Sequence, residues 1–330
     1  MKPQTLLAAL TSVMLSALTV HAATVPVRPD PSTMPAGEFV AWGYNDGQLK
    51  APQKLSSIVA IAAGFHYNLA LDNKGIVTAW GRNDKGQCTI PNGLSGVVAI
   101  AAHGSHCLAL KSDGTVVAWG ENKFGGTVLG IGTVPDGLSN VVAIAAGGFH
   151  NLVLKSDGTV AGWGWDEAKA RIIPTGLSGV VAIAAGNLHS LALKNDGTVV
   201  AWGEKDQTAV PAGLSGVTAI AAGSWHSLAL KDDGKVVAWG SNDFDETKVP
   251  PGLSNVVAIT AGEYFSLALK SDGTVVAWGR NTEKQSTIPD GLSNVIAISA
   301  GTNHGLAITQ PDGFKDKVET PNLHGKDAVR

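Results

Sequence analysis

The sequence predicts an all-β protein: a seven-bladed β-propeller with four antiparallel strands per blade, its ring closed by N- and C-terminal strands that share one blade. Three observations carry this reading. The dipeptide Trp-Gly recurs with its Trp at 42, 80, 119, 163, 202, 239 and 278, at intervals of 38, 39, 44, 39, 37 and 39 residues. Self-similarity at about forty residues is the spacing of propeller blades. Each period holds four extended segments separated by turn residues. The copies begin in mid-period at "EFVAWG" and end in mid-period at "HGLAITQPDGF". That suits a ring pinned shut by its own ends better than a linear array, which needs polar capping repeats.

The elements follow in chain order. Residues 1–23 hold one Lys, an apolar run from Leu6 to Val20 and small residues at Ala22 and Ala23, so they read as a secretory signal peptide cleaved near either alanine. The run is short for a membrane span, and no later segment is apolar for long enough. A Pro-rich linker covers 24–36, the propeller 37–314 and a polar tail 315–330. Within each period "VVAIAAG" comes first, built of small residues as the innermost strand requires where blades converge. "HSLALK" is the second strand, and "SDG" or "NDG" marks a tight hairpin because Gly supplies the positive φ. "TVVAWG" is apolar at successive positions, as a strand covered on both faces should be. A short "STIP" or "TKVP" run is read as the fourth strand, and "PxGLSN" turns the chain back inward.

Composition narrows the function classes. The 41 glycines and the 15% of charged residues favour turns and strands over helices. Removing Lys2 with the signal peptide leaves 23 basic against 27 acidic residues. A mature net charge of −4 gives no electrostatic reason to bind nucleic acid or anionic lipid. Cys88 and Cys107 are too few for a disulfide framework, and the sequence leaves open whether they pair. The expected product is a secreted or periplasmic monomer with no cofactor and no metal.

Alternating strand direction puts the first and third turns of every blade on one rim and the second and fourth on the other. The second turns ("KSDGT", "KNDGT", "KDDGK") and fourth turns ("NGLSG", "DGLSN", "AGLSG") are near copies. The other rim differs from blade to blade, and fold maintenance alone would act on both rims equally. Relaxed loop drift is the bland alternative, but the residues found there are aromatics interleaved with charges, the composition of protein-binding hot spots. The first-turn candidates are Phe65, His66, Ser105, Phe149, Leu188, Trp225, Tyr264 and Asn303. Those in the third turns are Asp46, Phe124, Trp165 and Phe244.

His106, His150, His189, His226 and His304 occupy one equivalent position, with Tyr67 and Phe265 in the other two copies. A ring of imidazoles invites a metal or acid–base reading. Replacement by Tyr and Phe favours a side chain that packs and makes at most one hydrogen bond. No carboxylate pair, nucleophile elbow, phosphate-cradling loop or metal-ligand spacing stands out from the repeat, so no catalytic residue is assigned. The chain is read as a binding protein rather than an enzyme. A propeller hydrolase or lyase with an axial pocket and a structural cell-surface module remain the alternatives.

The unit "VVAIAAGxxHSLALKSDGTVVAWGxNxxGQ" resembles the repeats of the regulator of chromosome condensation family over the whole folded region, which implies a seven-bladed propeller. In repeat length and wording it is also similar to the secreted β-lactamase inhibitory proteins of the propeller type. That resemblance implies a non-catalytic inhibitor whose partner is a class A β-lactamase, held by one rim through aromatics at the second tip residue and in the third turn. The matching tip positions are His66, Ser105, Phe149, Leu188, Trp225, Tyr264 and Asn303. In the third turns they are Asp46 or Gly47, Phe124 and Phe244. Ser105, Leu188 and Asn303 depart from the aromatic pattern, and "GGTVLGIG" beside Phe124 is an insertion.

Overall fold

The computed structural model describes residues 38–310, apart from 54, 56, 125, 126, 166 and 167. The signal peptide, linker and tail read from the sequence lie outside these residues. Seven three-stranded antiparallel sheets follow one another round an axis. In each, an inner strand such as Val217–Ala222 pairs with a middle strand, His226–Lys231, which pairs with an outer strand, Val236–Gly240. The closing sheet joins both ends of the chain: Val295–Ala300 pairs with His304–Thr309, which pairs with Glu38–Gly43. Its inner strand packs against Ile58–Ala63 on one side and Val256–Ala261 on the other, so the ring has no open edge at the axis. No helix among the described residues is long and apolar enough to cross a membrane.

One expectation is corrected. The fourth segment forms no strand among the described residues, so each sheet has three strands instead of four. Its backbone is satisfied locally: Cys88 N–H donates to the Asn83 side chain at 2.8 Å, Thr89 N–H to Gly86 O, and Leu94 N–H to Pro91 O. Cys88 therefore sits in a turn rather than on an outer strand. The apolar residues of the segment still close the core, since Ile90 and Leu94, or Val249 and Leu253, pack on the clusters between neighbouring sheets.

The second and fourth turns repeat because each is a hydrogen-bonding device. Asp113 Oδ1 accepts the Thr115 N–H at 3.0 Å and its hydroxyl at 2.6 Å, while Oδ2 takes the Lys111 ammonium at 2.9 Å. Asp196 with Thr198 and Lys194, and Asp272 with Thr274 and Lys270, reproduce it. These contacts hold the exposed carboxylates below their usual range, the hydroxyl bond contributing most. The fourth turn needs a left-handed residue before the inner strand, filled by Ser57, Asn140, Asn255 or Asn294 (φ 53–58°) or by glycine.

Two contacts join each sheet to the next. The indole N–H of every Trp-Gly tryptophan donates to a third-turn carbonyl of the preceding sheet: Trp80 to Gln48, Trp239 to Gln207, and Trp42 to Gln285 across the closure, each at 2.9 Å. Burying the ring between sheets and satisfying its one donor in the same contact makes this position intolerant of Phe or Leu. The second contact is a side-chain relay one layer nearer the axis. His106 Nε2 meets Asn151 Oδ1 at 2.7 Å, His150 meets Ser190 at 2.7 Å, His189 meets Ser227 at 3.0 Å, His226 meets Ser266 at 2.8 Å, and His304 meets Asn68 at 2.7 Å. Tyr67 donates to His106 O instead.

The relay is missing at one seam, in a matched way. Phe265, which makes no such bond, faces the sheet whose residue at the acceptor position is Gly305, and the Trp42 ring occupies the space that a Cβ there would need. Compensation lies at the axis. Positions that are Ala in other inner strands become Thr260 and Ser299, both fully buried. Ala300 N–H donates to Thr260 Oγ1 at 3.3 Å, and Ala63 N–H donates to Ser299 Oγ at 3.2 Å. The closing sheet is thus tied by a hydroxyl to both of its neighbours.

Thr260→Ala and Ser299→Ala should each lower unfolding free energy by about 1 kcal/mol in denaturant titration, and hydrogen exchange should then speed up first in the closing sheet. Burial pushes the imidazoles of His150, His189, His226 and His304 down to about 3 and that of His106 to about 4. The unfolded chain therefore takes up more protons below about pH 6.5, so stability is full above that pH and is lost as pH falls toward 4 and then 3. The double variant His226→Phe/Ser266→Gly, which copies the Phe265–Gly305 pair, should flatten the slope of stability between pH 6 and 4 by about 1.4 kcal/mol per pH unit.

Candidate protein-binding rim

The backbone places first and third turns side by side. In every sheet the first N–H of the third turn donates to the carbonyl of the second tip residue: Arg82 to His66, Trp165 to Phe149, Ser241 to Trp225, Arg280 to Tyr264, and Tyr44 to Asn303, at 2.8–2.9 Å. The Gly of Trp-Gly makes this approach possible. Gly240 has φ +105°, and a Cβ there would run into the Trp225 carbonyl.

The tips are also bonded round the axis. Phe65 N–H donates to Gly104 O at 2.7 Å, Gly148 to Gly186 at 2.9 Å, Ser224 to Gly262 at 3.0 Å and Glu263 to Thr302 at 3.2 Å. A Cβ on Gly223 would overlap Gly262 O and the His226 ring, so that position is held to glycine. Variation is displaced onto the next two residues. Four of the third turns are braced from below by a buried side chain: Gln48 accepts Asp46 N–H at 2.6 Å, and Gln87, Glu246 and Gln285 accept Lys85, Phe244 and Glu283 N–H at 2.8 Å. The variable residues therefore ride on fixed loops.

Three aromatic groups form. Phe244 packs on Tyr264 at 4.9 Å between ring centroids, across two sheets, and the Arg280 guanidinium lies 5.3 Å and 5.9 Å above the two rings. Phe65 stacks on His66 at 4.2 Å, Tyr44 packs on the same imidazole at 4.6 Å, and Arg82 lies 5.6 Å above Phe65. Phe149 meets Trp165 edge-on at 5.4 Å. Cation–π and aromatic pairs of this kind contribute about 0.5–1.5 kcal/mol each and fix the rings in place.

Among the residues expected at the rim, Phe244, at 42% exposure, and Asp46 are exposed. Phe65, Ser105, Phe149, Trp165, Leu188, Trp225, Tyr264 and Asn303 are half-buried. His66 is buried, with Nδ1 3.6 Å from the Asp46 carboxylate. Burial pushes its imidazole down, partly offset by that carboxylate. Ser105 and Leu188 join no aromatic group. Phe124 lies in the short hairpin Lys123–Phe124 with Thr127–Val128, and its side chain is outside the described residues. The rim roles of Tyr44 and Arg82 were not read from the sequence. The signal was present: Arg opens the third turn in two copies, and both have an aromatic at the facing first turn.

At the axis the rim has a pit of about 180 Å3 including its mouth. Its lining is mostly Ala and Gly, with His103, Ser224, Glu263 and Thr302. Among the described residues no group of three or more His, Cys, Asp or Glu could hold a metal. Cys88 and Cys107 are both free thiols. Burial pushes Cys88 up to about 11 and Cys107 further, which makes neither a nucleophile.

Comparison with known proteins agrees with this architecture. The profile of the Regulator of chromosome condensation (RCC1) repeat matches residues 58–87, 97–125, 141–168, 180–206, 217–246 and 256–285, together more than half of the chain. The closing sheet, split between the two ends, is not among the six. No curated protein matched. Among solved structures, Prp20p from Saccharomyces cerevisiae is 21% identical with a TM-score of 0.71, over 85% of this chain and 93% of that one. Human WBSCR16 is 18% identical with a TM-score of 0.67, over 83% of this chain and 100% of that one. The CRINKLY WD40 ectodomain of the Arabidopsis thaliana receptor kinase ACR4 is 24% identical with a TM-score of 0.60, over 76% and 89%. These likenesses concern the propeller fold. With six repeats matched in register with the seven sheets, the chain belongs to the family of regulator of chromosome condensation (RCC1) repeat proteins.

Proposed function

We propose that this is an exported seven-bladed propeller that binds a protein through the rim formed by its first and third turns, without catalysis. The observation that carries the reading is the Phe244–Tyr264–Arg280 group. Side chains from turns of two sheets are preassembled there, so little conformational entropy is lost when a partner covers them. The yeast relative Prp20p was described together with binding to Gsp1p and histones, and yeast RCC1 together with bound Kap60. Protein binding by such propellers supports the same use of this one. The specific version, drawn from the repeat wording, is inhibition of a class A β-lactamase or similar exported enzyme by covering its active-site entrance. The small-residue lining of the axial pit and its single carboxylate favour binding over a hydrolase or lyase mechanism.

Binding should be measured by pull-down from envelope fractions and by inhibition of a panel of class A β-lactamases. Against any partner found, Trp225→Ala, Phe149→Ala and Phe244→Ala should include at least one loss of about 30-fold in affinity, the size of a hot-spot truncation. Ile76→Ser on the opposite rim should change nothing. Unchanged affinity in all three rim variants overturns the rim assignment, and inactivity against the whole panel at micromolar concentration removes the lactamase version.

A further inference from the structure

The axial pit sits at the centre of the variable rim, where binding energy concentrates in most interfaces. Its walls are set by the fold, since Gly262 and Gly301 are held there by carbonyls of the next sheet and Gly64 by the Tyr67 ring. What is free to vary is the first tip residue of each sheet, and of those seven residues only Glu263 carries a charge. Its neighbour on one side, Ser224, is 4% exposed, and His103, which replaces the axial glycine in one sheet, is 8% exposed. Glu263 takes part in no ion pair among the described residues. Arg280, whose charge acts on it, is directed elsewhere: its guanidinium lies over Phe244 and Tyr264, and its Nε donates to Thr282 Oγ1 at 2.9 Å. The Trp225 indole and the Asn303 side chain flank the same carboxylate as hydrogen-bonding neighbours and bring no charge to it. All seven Trp-Gly indoles, by contrast, donate to a carbonyl.

Resting on the rim reading above, we propose that the pit is the seat for the ammonium group of a lysine projecting from the protein partner. An ammonium is compact and carries its charge on a thin alkyl stem, which suits a narrow opening with Ala and Gly walls; a planar guanidinium needs a wider, two-pronged acceptor. The carboxylate supplies the charge, the aromatic faces of Trp225 and Tyr264 lie at the same tips, and the small walls contact the stem. Burial already pushes the Glu263 carboxyl up, so an incoming cation relieves an existing cost of desolvation. Glu263 then acts as a specificity residue: partners with a lysine at the matching point bind, and those with a carboxylate there are repelled.

The test uses n-butylammonium as the probe and the indole N–H resonance of Trp225 as the reporter, assigned by its loss in Trp225→Phe. Titrating the full chain with n-butylammonium chloride at constant ionic strength should shift this resonance saturably, with a Kd on the order of 10 mM. Glu263→Gln should weaken binding at least fivefold while leaving the thermal midpoint and the other indole resonances in place. Neutral n-butanol should produce no saturable shift. The proposal is overturned if no saturation is seen, if Glu263→Gln binds as well as the native chain, or if ethylguanidinium binds more tightly than n-butylammonium. Loss of this result with partner binding still sensitive to Phe244→Ala would remove the lysine seat and leave the rim reading standing. Loss of both would remove the rim reading as well.

Discussion

Each sheet lends a third-turn carbonyl to the tryptophan of the next, and the rest of the molecule is arranged round that one contact. The indole must reach Gln48 O, Gln87 O, Ile131 O and their equivalents while its ring fills the gap between sheets. A buried carbonyl left without a donor costs about 1–3 kcal/mol, so the third turn cannot wander even where its tip is variable. The same carbonyl usually serves a second donor from the middle strand: the Asn68 amide at 2.7 Å, the Ser190 hydroxyl at 2.7 Å, the Ser266 hydroxyl at 3.0 Å. One acceptor thus ties the base of a loop to two groups of the next sheet, and the bonds repeat round the ring to the closure at Gln285.

This constraint explains how strictness and variety coexist within a few residues. Below the rim, every position answers to a neighbouring sheet. Trp, Gly, His and the Ser or Asn after it each fill space or accept a bond that another sheet supplies. Above it, the backbone of the tips is committed, the second tip's carbonyl to the third turn and the first tip's N–H or carbonyl to the neighbouring sheet, while most of the tip side chains are only half-buried. Side chains there can change without disturbing the lattice beneath. A surface built this way presents up to fourteen interchangeable side chains on a backbone that does not move with them, which is what a recognition surface requires.

Much of this was legible in the sequence because the repeat supplies its own comparison. The period located the sheets, the mid-period ends located the closure, and the contrast between "KSDGT" and the changing tips separated the two rims. "STIP" and "TKVP" carry β-branched residues and so resemble a fourth strand, yet their backbone bonds go to Asn281, Asn242 and local turns rather than to a strand. Those side-chain acceptors lie five residues away and leave no periodicity to find. Tyr44 and Arg82 escaped for a different reason: they belong to regular-looking positions, and only the bond between adjacent turns shows that they stack on Phe65 and His66. The histidine ring was read as structural on the strength of Tyr67 and Phe265, and the relay to Ser and Asn in the next sheet gives the physical ground for that.

The seam at Phe265 shows how such a ring tolerates an exception. Replacing an imidazole by a phenyl ring would take one partner from the hydroxyl or amide of the next sheet, and Gly305 removes that group altogether. The vacated space goes to Trp42, the one lattice tryptophan that arrives from the far end of the chain, and the lost bond is replaced nearer the axis by Thr260. Three changes in three strands at this seam, Thr260, Phe265 and Gly305, are needed together. Their joint presence at the closing sheet follows from what that sheet must do: it alone is assembled from segments more than 250 residues apart, so it loses the most chain entropy on forming. Hydroxyls that tie it to both neighbours stabilise the ring where closure costs most.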